Sequence, residues 1–255
     1  MPSFTLFDMI LGGHKKLGTV RFSISTGGTS LAAGALVDLS VASTGATPLQ
    51  TDANRNGTIF ITQSAASTAI AGQWSKIVAF NANSGSWTIS SALASTAVNP
   101  TYYGYATPEF PVELCVELAN DALRSLGPSV FSDRSIQSSA NQTVYSLSST
   151  FKRSPPLQVD VMTGVGTSAG DPDWVTVSDW EYQPSSAGAA ASLIFAKEIP
   201  SGRDVRVWYQ DFHHRVSNST HVIDERIYPE LAILALVDKI YEYRNSLSRG
   251  ATDFD

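Results

Sequence analysis

Residues 227–245 read IYPELAILALVDKIYEYRN, a helix-length run that is apolar on more than one side. Placed at about 100° per residue, Ile233, Leu236, Val237, Ile240, Tyr243 and Leu247 form one stripe. Leu231, Leu234 and Tyr241 form a second, beside Asp238 and Glu242. Pro229 suits the first turn, where its missing N–H costs nothing. A fold that accepts this helix must bury one stripe and either bury the second too or leave it for another chain. The putting-away of both within one chain and the covering of the second by another subunit are the two readings that the pattern allows.

A second helix is expected over 107–127. Thr107 is a suitable N-cap, Pro108 a suitable first residue, and Pro111 delays the start by a turn if it leads instead. Val112, Cys115, Val116, Ala119, Leu123 and Leu126 share a face, with Glu113, Glu117, Asn120 and Arg124 on a polar arc. Gly127 and Pro128 stop it.

Nearly everything else has the look of short strands. Val20, Phe22 and Ile24 alternate in GTVRFSI, the period of a half-buried strand. GALVDLSVAS (34–43) and GTIFIT (57–62) follow, and two runs flanking NANSG in 74–93 read as a hairpin. Beyond the 107–127 helix, five runs (141–149, 156–164, 173–183, 191–199 and 203–213) read as strands. The expected fold is therefore α+β and mostly β. It has a small N-terminal β barrel or sandwich over 1–105, then, over 106–255, two packed helices with a β-sheet insertion at 128–222.

Hydrophobic residues make up 43% of the 255 and charged residues 16%, enough apolar content for packed cores and a surface dominated by neutral polar groups. A net charge of −6 argues against a protein built to grip phosphates. Cys115 is the only cysteine, so no intrachain disulfide forms. The apolar start is interrupted by Asp8 and followed by lysines, the reverse of a signal peptide. No run approaches the roughly 20 apolar residues of a membrane span. The expectation is a soluble chain without membrane association. Asn-x-Ser/Thr triplets at Asn56, Asn141 and Asn218 are what chance gives in a Ser/Thr-rich sequence.

Motifs for chemistry are weak. His213 and His214 are adjacent in a strand-like run and would point to opposite faces, and His221 lies further on. Asp171 and Asp173 fall in a polar turn with too few ligands for a calcium loop. GVGTSAG lacks the Lys-Ser/Thr of a phosphate loop. Cys115 reads as a small core residue. Trp74, Trp87, Trp174, Trp180 and Trp208 lack the interleaved cations of a nucleic-acid-binding sheet. No catalytic residue, cofactor or metal is expected.

The order of elements resembles the head-to-tail connector (adaptor) proteins of tailed bacteriophages. The resemblance rests on three stretches. GQWSKIVAFNANSGSWTISSALAST is similar to a last hairpin ahead of the adaptor helices. FPVELCVELANDALRSLG is similar to their helix ending in Asn-x-Ala-Leu-x-x-Leu-Gly, here Asn120, Ala122, Leu123, Leu126 and Gly127. IPSGRDVRVWYQDFHHRV followed by YPELAILALVDKIYEYR is similar to their return strand and Pro-Glu-started helix. It spans residues 74 to 247 and is carried by element order more than by a signature; the region before 70 has no counterpart in it. It implies a structural virion protein, assembled in the host cytoplasm, that forms a ring of twelve copies below the portal protein and extends the DNA channel. Its implied partners are further copies of itself, the portal, tail or stopper proteins, and the capsid or a fibre; DNA passes without specific binding. Leu231, Leu234 and Tyr241 would then be an interface. The other readings are a tail- or fibre-associated module holding carbohydrate through its tryptophans, and an enzyme with a dispersed site.

Overall fold

In the computed structural model, residues 3–26, 33–64, 71–90, 93, 101–148, 155–163, 173–186 and 190–250 are described. Thr5 opens the first helix, α1 (Leu6–Leu17): its hydroxyl accepts from the Asp8 N–H while the Asp8 carboxylate accepts from the Thr5 N–H, a reciprocal capping box. Gly18, with φ 68°, closes the helix in the left-handed conformation that glycine adopts without penalty. This helix was not expected in the β domain read over 1–105. Gly12 and Gly13 depress helix propensity, but they are also why the helix fits. A Cβ on Gly12 would lie 2.6 Å from Ile233 Cδ1, and one on Gly13 would lie 3.0 Å from Leu236 Cδ2.

Six strands follow: β1 (Val20–Ile24), β2 (Ala35–Val37), β3 (Thr58–Ser64), β4 (Gln73–Asn81), β5 (Ser86–Ile89) and β6 (Thr101–Ala106). They form one antiparallel sheet in the order β1-β6-β3-β4-β5-β2. The sheet curls into a half-barrel whose outer strands approach each other, with the Thr26 N–H donating to the Val37 carbonyl at 3.1 Å and the Leu39 N–H to Thr26 Oγ1 at 2.7 Å. Ile59, Ile61, Ile77, Phe80, Trp87 and Tyr103 fill its concave side.

Next come α2 (Val112–Ser125), then β7 (Ser129–Gln137), β8 (Val144–Ser146), β9 (Pro156–Met162), β10 (Trp174–Val177), β11 (Trp180–Gln183), β12 (Ser192–Phe195) and β13 (Asp204–Asp211), and last α3 (Pro229–Gly250). The start of α2 is corrected from Thr107 to Pro111, which has no side-chain capping bond. Two helices were expected and three α-helices are present among the described residues.

The chain divides into two compact units. Unit 1 is Met1–Leu126 with His213–Asp255, and unit 2 is Gly127–Phe212. In unit 1, α1, α2 and α3 pack together around Leu6, Met9, Ile10, Cys115, Leu123 and Leu236, with Phe60 of β3 in the same cluster. In unit 2, the sheets β10-β9-β13-β7 and β11-β12-β8 enclose Val159, Leu193, Phe195, Val205, Val207 and Tyr209.

Asn120 corrects the reading of α2's polar arc, because it is only 8% exposed. Its amide donates to the Val216 carbonyl at 2.8 Å and accepts from the Val216 N–H at 2.8 Å. It thus pins the segment returning to α3, which also pairs with the N-terminus through Ile223 N–H to Phe4 O at 2.9 Å and Leu6 N–H to His221 O at 2.9 Å. Replacement by an apolar residue strands both backbone groups of Val216. Asn120→Leu is therefore expected to lower the stability of unit 1 by about 2–3 kcal/mol in chemical denaturation.

Candidate interaction face

α3 is held from one side. Ala232 and Leu236 are fully buried and Ile240 is 1% exposed, all within the three-helix core. The helix is tied at both ends, by Lys16–Glu230 at 2.6 Å and Arg244–Glu109 at 3.7 Å. Both ion pairs are solvent-exposed, so they fix orientation more than stability.

The opposite side is open. Leu231 is 50%, Leu234 49% and Tyr241 49% exposed, and Tyr228, just before the helix, is 70% exposed. Single exposed apolar residues are ordinary, but a stripe of large ones along one helix face is a candidate contact surface. Asp238 lies within the stripe, four residues after Leu234 and three before Tyr241, so an acidic group interrupts an otherwise apolar face. Among the residues expected on the first stripe, Ile233, Val237 and Tyr243 are partly covered, and Leu247 is exposed.

His213 and His221, considered for chemistry, bond to backbone groups. His213 Nδ1 bonds to the His214 carbonyl at 2.7 Å and its Nε2 accepts from the Asp224 N–H at 3.1 Å; His221 Nδ1 accepts from the Ser217 N–H at 3.1 Å. The Asp173 carbonyl accepts from Thr163, while Asp171 and the GVGTSAG run lie outside the described residues. Among the described residues, no group of three or more His, Cys, Asp or Glu side chains is placed to hold a metal.

Cys115 Sγ lies 3.7 Å from His14 Nε2, with both residues buried. A nucleophilic pair needs a thiolate beside an imidazolium. Burial, then the Glu113 charge, pushes the Cys115 thiol up to about 12. Burial likewise pushes the His14 imidazole down to about 4. Both groups are neutral at pH 7, the state of a core contact.

Two polar networks are internal struts that the sequence did not announce. In unit 1 the fully buried Asp38 carboxylate accepts from Tyr103 Oη at 2.7 Å, Ser40 N–H at 2.9 Å, Ser40 Oγ at 2.7 Å and Ser23 Oγ. Burial, followed by the Asp38 bond and charge, raises the Tyr103 phenol above its usual range. In unit 2, Asp160 anchors Arg206, whose guanidinium lies 4.3 Å from the Trp174 ring centroid and 4.8 Å from that of Trp208.

The other tryptophans are packed as well. Trp87 is fully buried, Trp74 stacks with Phe7 at 6.3 Å, and Trp180 packs against the core of unit 2. Unit 2 also holds a cavity of about 350 Å³ lined by Val161, Val175, Val177, Phe195, Ile199 and charged neighbours that include Arg203. Arg203 is committed to the Met162 and Thr163 carbonyls.

No helix among the described residues is long and apolar enough to cross a membrane. No family model, no curated protein and no solved structure matches this chain.

Proposed function

We propose that this chain is a structural virion protein of a tailed bacteriophage, a head-to-tail adaptor that forms a ring below the portal and extends the DNA channel. The observation that carries this reading is the half-exposed stripe of Leu231, Leu234 and Tyr241 on a helix whose other side is locked into a three-helix core. A chain that leaves such a stripe open has a use for it in assembly. The element order supports the reading: a β half-barrel, a helix ending in Leu-Gly-Pro, a β insertion and an apolar last helix. The acidic balance suits a channel that must not hold DNA. Twelve copies, the portal, and tail or stopper proteins are the partners this reading names; fibre or capsid contacts would fall to unit 2.

The carbohydrate-binding alternative needs tryptophan faces free for a sugar. Trp174 is contacted by the Arg134 and Arg206 guanidinium groups and Trp208 by Arg206.

The test is electron microscopy of the purified chain, alone and mixed with portal rings, for the parent and for Leu234→Glu. The parent is expected to form or join rings, and the variant to remain unattached at least tenfold more often, with unchanged circular dichroism. Equal ring formation by both would remove the stripe from the interface.

A further inference from the structure

Unit 1 carries a second exposed apolar patch, on the convex side of its half-barrel. Val20, Phe60 and Trp74 on that side pack into the helical core, but further along β1 and β6 Phe22 is 50%, Ile24 43% and Tyr102 40% exposed. The strand register makes these three one surface: Ile24 pairs with Tyr102 and Phe22 with Gly104. Gly104 leaves room for the Phe22 ring, since a Cβ there would lie 3.1 Å from Phe22 Cε1. The Lys15 ammonium, at the end of α1, sits 5.1 Å from the Phe22 ring centroid, so this apolar patch has a cationic border.

We propose that the Phe22–Ile24–Tyr102 patch of one copy receives the Leu231–Leu234–Tyr241 stripe of α3 from the next copy, with Lys15 meeting Asp238. The proposal rests on the ring reading above and supplies its subunit contact.

Charge decides the pairing. Stripe against stripe would set Asp238 against Asp238, and sheet patch against sheet patch would set Lys15 against Lys15. Stripe against sheet patch instead joins the opposite charges of Asp238 and Lys15. Area agrees. With side chains on the order of 200 Å² each, the exposed fractions give roughly 250 Å² on the sheet and roughly 400 Å² on the helix side, Tyr228 included. That is most of the apolar share of a standard interface of about 1,600 Å², of which a little over half is apolar. A contact between two different patches of one unit is head-to-tail, the kind that makes a ring where the rotation closes and a filament where it does not.

The test uses full-length chains carrying Phe22→Cys or Leu234→Cys, oxidised separately and as a mixture. The native Cys115 is buried and does not compete. The mixture is expected to give disulfide-linked dimers at least tenfold above either chain alone, with the 22–234 peptide pair identified by mass spectrometry. Lys15→Glu in the Phe22→Cys chain should lower the yield severalfold, and Asp238→Lys in the Leu234→Cys chain should restore it. Dominant 234–234 dimers, or no cross-link above background, would overturn the contact. Rings seen by electron microscopy without a 22–234 disulfide overturn the contact and leave the ring reading standing. A 22–234 disulfide in a protein that never closes into rings supports the contact and removes the ring reading.

Discussion

Asp160→Ala is expected to destabilise unit 2 by about 3–5 kcal/mol at pH 7, the range for removing one partner of a buried ion pair. Asp160 is 2% exposed and receives five hydrogen bonds. Gln158 Nε2 donates at 2.7 Å and Thr176 Oγ1 at 3.0 Å to one oxygen; Arg206 Nε at 3.0 Å, Arg206 Nη2 at 2.7 Å and Trp208 Nε1 at 2.6 Å donate to the other. Burial alone would raise the carboxyl's pKa, but the bonds from Gln158, Trp208, Arg206 and Thr176 together bring it down to about 2. Removing the carboxylate leaves all these donors facing one another, on three strands at once: β9, β10 and β13. Hydrogen exchange should show faster opening of those strands, while α1, α2 and α3 keep their protection. Arg206→Met replaces the cation with an apolar group and leaves the carboxylate its other donors, so it should cost less than Asp160→Ala. In the double variant the two losses should not add, because each removes part of the same network. Equal protection of β9 and β13 in the parent and in Asp160→Ala would show the network to be energetically idle.

What the sequence made legible follows from the range of the interactions involved. α2 and α3 were readable because their apolar residues recur at helical spacing, a local property. The hairpin of β4 and β5 was readable because its turn chemistry is local too. α1 was missed because Gly12 and Gly13 argue against a helix until Ile233 and Leu236, more than 200 residues away, are seen to need the room. The Thr5–Asp8 capping box was the local signal that could have found it. β6 (TYYGYA) and β7 (SVFSDRSIQ) have too little alternation to declare themselves. DWVTVSDWEYQ, read as one strand, is two strands in different sheets, separated at Ser178 and Asp179. For the candidate face, Leu231, Leu234 and Tyr241 could be named from the helical projection alone. Phe22 and Ile24 could not, because alternation says which residues share a face of the sheet and not how far along that face the helices reach. Asn120 and Asp38 were likewise hidden, since their partners, Val216 and Tyr103, lie 96 and 65 residues away.

Acid is expected to weaken unit 1 well before unit 2, and the residue responsible is His14. It is 1% exposed at the junction of α1, α2 and β3, with its ring 5.3 Å from that of Phe60. Thr19 Oγ1 donates to the His14 carbonyl at 3.3 Å, which leaves His14 Nδ1 to donate to Thr19 Oγ1 at 2.8 Å and Nε2 to face the Cys115 thiol. No carboxylate is among these contacts, so a proton added at Nε2 creates a buried cation without a counter-charge. Burial accordingly holds the imidazole at about 4, against an ordinary 6.5. Between those values the unfolded chain binds the proton and the folded chain does not, so stability falls as pH drops. The contribution is fully present above about pH 6.5 and is lost by about pH 4, a change of about 3 kcal/mol. Asp160 acts lower down: its stabilisation is present above the ordinary carboxylate range near 3.8 and is lost as pH falls through about 2. Denaturation followed from pH 7 to pH 4 should therefore show unit 1 losing stability while unit 2 holds. His14→Gln should flatten that slope, because a neutral amide at this position has no proton to gain. A His14→Gln protein with the parent's slope between pH 6.5 and pH 4 would assign the acid sensitivity to other groups.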